Sequence, residues 1–208
     1  MLEKLDEIPW DDLNHAYGGA GDVPDLIRAL ASRDQAARDA AWDDLYGNLW
    51  HQGSIYEATS YAAPFLLELL EDGQVPERWK ILTYLAALAN GRSYWDVHQH
   101  AAIMQSFVQE PSFPQTLARE LDWVERTKTA VRQGLAIYVR MLGDADAPSR
   151  AAAAHLLAQL PHDAPQSLPR LIERLQQVEP DRCARAACVL AAGLLGAPNQ
   201  AADAALLG

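Results

Sequence analysis

The stretch Arg38-Asp39-Ala40-Ala41-Trp42-Asp43-Asp44-Leu45 carries the pattern that decides the fold. An arginine is followed by a small or apolar residue three positions later and by another seven positions later. The same spacing begins again at Arg78, Arg132, Arg150 and Arg185. Positions i, i+3 and i+7 share one face of an α-helix. A pattern repeated on successive helices is typical of stacked units that bury one another's faces, so we expect an all-α fold, specifically an α-solenoid of helix-turn-helix repeats.

Capping residues, prolines and glycines divide the chain into segments. Residues 1–20 are expected to form an N-terminal arm, and residues 21–208 a single solenoid domain. We expect Gly53 to be a helix C-cap, and Pro64 to kink its helix or to move its start to near residue 62. The predicted helices are 23–31, 35–50, 56–72, 76–90, 114–142 (with a break near 127–129), 147–160, 165–178 and 181–196.

Residues 92–113 do not follow the repeat and are interpreted as an inserted segment, a loop leading into a short helix near 97–109. Insertions in solenoids often lie on the binding face. The other irregular part is the apolar end of the chain, which has no charge after Asp203. Because a solenoid needs a polar outer cap, this end predicts either a truncated chain or self-association.

The repeated arginines also predict specific contacts. Stacking is expected to place Arg38, Arg150 and Arg185 against carboxylates or carbonyls in the turns of adjacent units, for example Asp34 or Asp181. Partly buried pairs of this kind stabilise a protein more than pairs on its surface.

The charge balance narrows the classes of partner. With 17 basic and 28 acidic residues, the net charge is −11. This charge opposes a phosphate backbone, so nucleic acid is not expected as the main partner. It suits a basic protein partner, although solubility alone also explains an acidic chain. No apolar run reaches the length of a membrane span and the N-terminus does not resemble a secretory signal, which predicts a cytoplasmic protein that does not bind membranes.

No motif of a known catalytic site occurs: there is no G-x-S-x-G elbow, P-loop or H-E-x-x-H helix. The run Asp96-x-His98-x-His100 has a spacing that metal ligands can show, but exposed histidines explain it better. We therefore predict no catalytic residue, no metal and no cofactor.

Two interruptions of the repeat carry the candidate binding residues. The segment from Trp50 to Tyr56 combines polar side chains with aromatic walls, which is the composition of a small pocket, although His51 and Gln52 could instead cap a helix. The inserted segment 93–100 has similar residues. We expect the two segments to meet and form the main pocket, with His51 and Trp95 in contact or bridged by one residue. The candidate ligand- or partner-binding residues are Tyr17, Trp50, His51, Gln52, Tyr56, Trp95, Asp96 and His98.

The stretches 34–45 and 180–196 resemble the second helix of HEAT repeats, in which an acidic residue in the turn precedes an arginine. The segments Trp50 to Thr59 and Ser93 to His98 look like parts of uncharacterised bacterial HEAT-repeat proteins. The resemblance implies an α-solenoid and assigns no activity; the wider family includes adaptors and toxin-neutralising immunity proteins. The expected function is a non-catalytic protein-binding module, such as an acidic immunity or adaptor protein. The alternative is a small-ligand-binding protein or an enzyme with its pocket at 51–56 and 93–100.

Overall fold

A computed structural model describes residues 2–177 and 179–206, and within them the fold is all-α, as predicted. The helices are α1 (Val23–Ala29), α2 (Gln35–Asn48), α3 (Glu57–Glu71), α4 (Arg78–Ala89), α5 (Tyr94–His98), α6 (Gln105–Val108), α7 (Phe113–Arg132), α8 (Leu135–Met141), α9 (Ala147–Ala158), α10 (Ala164–Gln176) and α11 (Arg182–Leu206). Short 3-10 helices lie at Leu5–Glu7, Trp10–Asp12, Ala102–Met104 and Pro161–Asp163. None of the described helices has the length and apolar character needed to cross a membrane.

Two small antiparallel hairpins interrupt the helices. Strand β1 (Asn14–His15) pairs with β2 (Gly18–Gly19), and β3 (Trp50–His51) pairs with β4 (Ser54–Ile55). The second hairpin turns at Gln52 and Gly53, whose φ angles are 52° and 91°. Two successive residues with positive φ are typical of a tight hairpin turn. Gly53 is therefore a turn residue, and its expected role as a helix C-cap is wrong.

The chain forms two compact units. Unit 1 comprises Met1–Pro76 and Ala87–Val131, and unit 2 comprises Glu77–Ala86 and Arg132–Gly208. In unit 1, the Trp10 ring packs on Phe65 at 6.3 Å between centroids, and its indole N–H donates to the Leu5 carbonyl at 2.7 Å. In unit 2, Tyr138 is fully buried, and this burial raises the pKa of its hydroxyl. The proposed division into an arm of residues 1–20 and a domain of residues 21–208 stays a prediction.

Aspartates cap the N-termini of three helices that carry the repeated pattern, α2, α9 and α11. Asp34 accepts the backbone N–H of Ala36 at 3.0 Å, and Asp146 accepts that of Ser149 at 3.0 Å. Asp181 accepts the backbone N–H of Ala184 at 2.8 Å. Each cap satisfies a backbone donor that has no partner within the helix. Each aspartate also stands four residues before an arginine of the pattern, namely Arg38, Arg150 and Arg185.

Two of these arginines bind the turn in front of their own helix. Arg38 Nη1 donates to the carbonyls of residues 32 and 33 at 2.9 and 3.2 Å. Arg150 Nη1 donates to the carbonyls of residues 144 and 145 at 2.9 and 3.0 Å. These carbonyls belong to the turn before each arginine's own helix, not to an adjacent unit. The expected carboxylate of another turn is found for Arg150, which binds Glu179 ahead of α11. The expectation for Arg185 is wrong, because its side chain is exposed and has no partner among the described residues.

Arg150 also forms a buried ion pair in unit 2. Its Nε and Nη2 donate to the two carboxylate oxygens of Glu179 at 2.9 and 2.7 Å. The side chains are only 8% and 0% exposed. Arg174 Nε donates to Glu179 as well, at 2.7 Å. The hydrogen bond from Arg150 is the main reason that the pKa of Glu179 falls to about 2.

Glu179 should make stability depend on pH. Because its pKa is lower in the folded protein than in the unfolded chain, its contribution is complete above pH 4.5 and is lost as the pH falls towards 2. A Glu179→Gln variant should be less stable than the wild type by about 2–3 kcal/mol at pH 7, and this difference should shrink towards zero near pH 2. Urea unfolding across this pH range measures it, with Glu173→Gln, which removes an exposed carboxylate, as the control. A difference that does not change with pH would contradict this assignment.

Several helix boundaries differ from prediction. Helix α3 continues through Pro64, so the later start near residue 62 is wrong. The break expected near residues 127–129 lies at Gln133 and Gly134 instead. The expected helix 97–109 is divided into short pieces, and α11 continues past Gly196. The predicted self-association through the C-terminal end concerns residues after 196, whose side chains lie outside the described part of the chain.

Candidate functional site

Backbone hydrogen bonds join the second hairpin to the start of the inserted segment. The backbone N–H of Ile55 donates to the Arg92 carbonyl at 3.1 Å, and the N–H of Arg92 donates to the Gly53 carbonyl at 3.0 Å. Ser54 and Arg92 form an isolated parallel β-bridge. The two interruptions of the helical pattern therefore lie side by side in unit 1.

The approach is close because Gly91 has no side chain. A Cβ atom at this position would overlap Ile55 Cγ2 and would lie 3.1 Å from Ile55 Cδ1 and from the Leu88 carbonyl. Ile55 is 1% exposed and cannot move into solvent. Gly91 thus permits the contact between β4 and the inserted segment.

The first hairpin brings Tyr17 to the same region. Tyr17 is 70% exposed, and its ring meets His51 edge-on with 5.4 Å between ring centroids. Its hydroxyl lies 3.3 Å from His51 Nδ1. Below the tip of this hairpin, the Tyr17 N–H donates to His15 Nδ1 at 3.0 Å, and His15 Nε2 lies 3.1 Å from Asp22 Oδ1. Since His15 is buried, these bonds fix the hairpin against α1.

Trp50 and Tyr56 are held by the ends of the second hairpin. The Trp50 indole N–H donates to the Ala87 carbonyl at 3.1 Å, so Trp50 attaches the second hairpin to α4. Tyr56 precedes α3, and its backbone N–H donates to Thr59 Oγ1. Burial raises the pKa of Tyr56, and the nearby Glu120, Tyr94 and Tyr17 raise it further. Gln52 is exposed at the turn.

The residues predicted in the inserted segment divide between two environments. Trp95 packs on Phe113 at 5.4 Å and on Phe107 at 5.8 Å. His98 stacks on the Tyr94 ring at 4.3 Å. Asp96 lies 3.6 Å from the exposed Arg92 guanidinium. No hydrogen bond or ring contact joins the His51 and Trp95 side chains directly. The expected contact through one bridging residue stays a prediction.

Two residues of this region were missed in the sequence analysis. Tyr94 directly precedes Trp95 in the segment 93–100, which the sequence had already indicated as part of a binding site. Glu120 lies on α7, where its Oε2 accepts the Ser93 hydroxyl at 2.6 Å and the Trp95 backbone N–H at 3.0 Å. The local sequence around Glu120 gives no signal of this contact, because the contact spans 25 to 27 residues.

The described side chains include no group of three or more His, Cys, Asp or Glu residues arranged to hold a metal ion. Two surface clefts lie apart from the eight predicted residues. One, of about 390 Å³, lies in unit 1 and is lined by three carboxylates together with Ile8, Trp10 and Pro24; the carboxylates are Asp6, Asp11 and Asp12. The other, of about 790 Å³, lies in unit 2 between α8 and α10 and is lined by residues that include Leu135, Val139 and Pro169.

The charge of the chain is divided unequally between the units. Unit 1 contains 20 acidic and 8 basic residues, a net charge of −12, whereas unit 2 contains 8 acidic and 9 basic residues, a net charge of +1. Seven carboxylates of unit 1 are exposed and have no hydrogen bond or ion pair with a described residue. They are Glu3, Glu7, Asp11, Asp12, Asp43, Asp44 and Glu110. Unit 1 therefore presents a strongly acidic surface.

Searches of protein-family models, curated protein sequences and solved structures gave no match to this chain.

Proposed function

We propose that this protein is a non-catalytic protein-binding module whose acidic unit 1 binds a basic protein partner. The observation that carries the proposal is the net charge of −12 in unit 1, compared with a net charge of +1 in unit 2. Solubility requires charge but does not require it on one unit. Unpaired surface carboxylates attract a basic partner over a distance and accelerate its association.

The acidic cleft gives this surface a shape as well as a charge. Asp11 and Asp12 line it without partners of their own, next to apolar atoms of Ile8 and Pro24. A lysine or arginine side chain has the matching form, because its apolar stem can lie on the apolar wall while its charge meets the carboxylates.

We also propose that the helices stack as a solenoid of HEAT-like repeats. The support is the arrangement common to Arg38 and Arg150, in which an N-cap aspartate is followed four residues later by an arginine that binds the carbonyls of the preceding turn. An adaptor or an immunity protein that masks a basic toxin would fit this architecture and charge. The cytoplasmic location stays a prediction.

Affinity capture from cell extract with charge variants tests the binding proposal. The double variants Asp11→Asn/Asp12→Asn and Asp43→Asn/Asp44→Asn each remove two unpaired carboxylates. At about 0.1 M salt we expect each to bind the partner about tenfold less tightly, since a surface charge contributes about 0.2–1 kcal/mol and a tenfold change is 1.4 kcal/mol.

The matched control is Glu110→Gln/Glu125→Gln, which removes two exposed carboxylates of unit 1 from another part of its sequence. The wild type and this control should capture the same protein, and that protein should have an excess of lysine and arginine. A captured protein that is neutral or acidic, or equal losses in all three variants, would contradict the proposal.

The alternative function is a small-ligand-binding protein or an enzyme. It is favoured by one observation: the hairpin within residues 51–56 is bonded to Arg92, directly before the segment 93–100, whose Ser93 binds Glu120. If this alternative is right, the Asp11→Asn/Asp12→Asn and Asp43→Asn/Asp44→Asn variants should bind the ligand as tightly as the wild type does. Substitution of Tyr56 or Glu120 should abolish ligand binding.

A further inference from the structure

One tryptophan and two phenylalanine rings meet in the inserted segment and at the start of α7. The Trp95 ring packs on Phe113 at 5.4 Å between centroids and on Phe107 at 5.8 Å. Phe113 is buried, Trp95 is half-buried and Phe107 is 55% exposed. The three rings therefore form a cluster that extends from the interior of unit 1 to its surface, and we name it the aromatic cluster.

Trp95 is held firmly within the aromatic cluster. Its backbone N–H donates to Glu120 Oε2 at 3.0 Å, and Ser93 caps α5, the helix that carries it. The Trp95 indole N–H, by contrast, has no hydrogen-bond partner among the described residues, whereas the indole N–H groups of Trp10 and Trp50 donate to carbonyls. A tryptophan that is already fixed and still has a donor to offer suits the centre of a protein interface, because binding costs it little conformational freedom.

The segment that carries Phe107 is apolar and uncharged. Residues 97–109 contain no aspartate, glutamate, lysine or arginine, so the net charge of −12 in unit 1 lies entirely outside this segment. Ile103 precedes Phe107 by four residues in continuous helical structure and is 81% exposed. Large apolar side chains exposed next to one another are typical of contact sites for proteins or membranes.

The charge of unit 1 decides which of these occupants fits. A second copy of the chain that docked through its own unit 1 would bring another net charge of −12, and like charges oppose association. An anionic membrane surface would be repelled for the same reason. A basic protein would instead be attracted, and protein interfaces combine an apolar centre with a polar or charged rim. Unit 1 contains both kinds of surface.

We propose that Trp95 and Phe107 bind an apolar side chain, namely a leucine, isoleucine or methionine, on the basic partner. The inference rests on the proposed function and deepens it. The exposed carboxylates of unit 1 would accelerate association, and burial of the aromatic cluster would slow dissociation.

The test is an NMR titration of the full chain carrying ¹⁵N-labelled tryptophan. The probe is a short peptide of leucine and lysine that has all its leucines on one face of a helix, and the control peptide has glutamine in place of each leucine. The Trp95 indole N–H signal should shift in a saturable way with the leucine peptide, while that of the buried Trp10 stays unchanged. The glutamine peptide should bind at least tenfold more weakly, because it has the same charge but no apolar side chain to bury.

Phe107→Ser and Ile103→Ser are the decisive variants, because both remove an exposed apolar side chain and neither changes the charge. We expect Phe107→Ser to weaken binding of the leucine peptide about tenfold and Ile103→Ser about threefold. Leu190→Ser is the matched control, since it makes the same kind of change at a 67% exposed residue of unit 2. Equal affinity for the two peptides, no shift of the Trp95 signal, or the same affinity in both variants as in the control would overturn the assignment.

The two other occupants give different results. If the aromatic cluster binds a second copy, analytical ultracentrifugation of the chain alone should show a dimer that Phe107→Ser abolishes. If it binds a lipid surface, vesicles of phosphatidylcholine and phosphatidylserine should sediment with the wild type and not with Phe107→Ser. Either result would overturn the assignment to a basic protein.

The two proposals can fail separately. If the leucine peptide does not bind at Trp95 but partner capture depends on the Asp11/Asp12 and Asp43/Asp44 pairs, the aromatic cluster is the wrong site and the acidic binding surface stands. If the leucine peptide binds at Trp95 and capture does not depend on these carboxylates, the site stands and the proposed function is wrong.

Discussion

Substitution of Arg150 by alanine is expected to lower the free energy of unfolding by about 3 kcal/mol. The change removes a bidentate ion pair with Glu179 and two hydrogen bonds to turn carbonyls, all of them buried or partly buried. Breaking one side of a buried pair costs about 3–5 kcal/mol, and Arg174 remains to satisfy part of Glu179, which places the effect at the lower end. For a protein of this size, the melting temperature should fall by about 6–12 °C.

Arg185→Ala is the matched control. Arg185 stands four residues after an N-cap aspartate, as Arg150 does, but it is exposed and has no partner among the described residues. Its removal should change stability by no more than about 0.5 kcal/mol. Differential scanning calorimetry of the two variants compares them directly, and equal losses would show that the Arg150–Glu179 pair does not stabilise unit 2.

Substitution of Gly91 by alanine is the second large expected effect. The new methyl group would overlap the side chain of Ile55, which is buried and β-branched and cannot rotate away. Overpacking of this kind costs about 1–3 kcal/mol. We expect the strain to separate β4 from residue 92, and therefore to weaken the contact between the second hairpin and the inserted segment as well as to lower stability.

Urea unfolding and hydrogen exchange measure the two consequences of Gly91→Ala. The amides of Ile55 and Arg92, which donate across the contact, should lose protection in the variant. Gly73→Ala is the control, because a Cβ at Gly73 meets nothing within 4 Å. Full protection of both amides in Gly91→Ala would mean that the contact does not depend on the missing side chain.

The helices were predictable because their signals are local. Asp34, Asp146 and Asp181 cap the helices at the positions where the sequence places the repeated pattern. The boundary errors have physical causes. Proline fits the first turn of a helix best, yet Pro64 lies inside α3, with the helix continuing on both sides of it. A tight turn at Gln52 and Gly53 was missed because glutamine is not among the residues that usually adopt positive φ.

The candidate site was only partly predictable. The interruption of the helical pattern pointed to residues 51–56 and 93–100, and the structure bonds the first segment to Arg92, directly before the second. The pairing of Ser54 with Arg92, and the contact of Glu120 with Ser93, are tertiary. Likewise, the net charge of −11 is visible in the composition, but its concentration in unit 1 depends on which segments fold together.

Arg38 and Arg185 show the same limit of prediction from sequence. Both follow a capping aspartate in sequence, and only the environment decides that one is buried and the other exposed. Helix spacing predicts which face an arginine occupies, and it does not predict whether another helix covers that face.

The most direct test of the central claim, that the acidic surface of unit 1 binds a basic partner, is the rate of association measured as a function of salt. The captured partner is used with the wild type and with the Asp43→Asn/Asp44→Asn variant. Raising the salt concentration from 0.1 to 1 M shortens the Debye length from about 10 to about 3 Å, so the association rate of the wild type should fall steeply. The variant should associate more slowly at low salt and depend less on salt, because it has lost two of the charges that attract the partner. An association rate that does not change with salt concentration, or that is the same in both proteins, would contradict the claim that the acidic surface of unit 1 binds a basic partner.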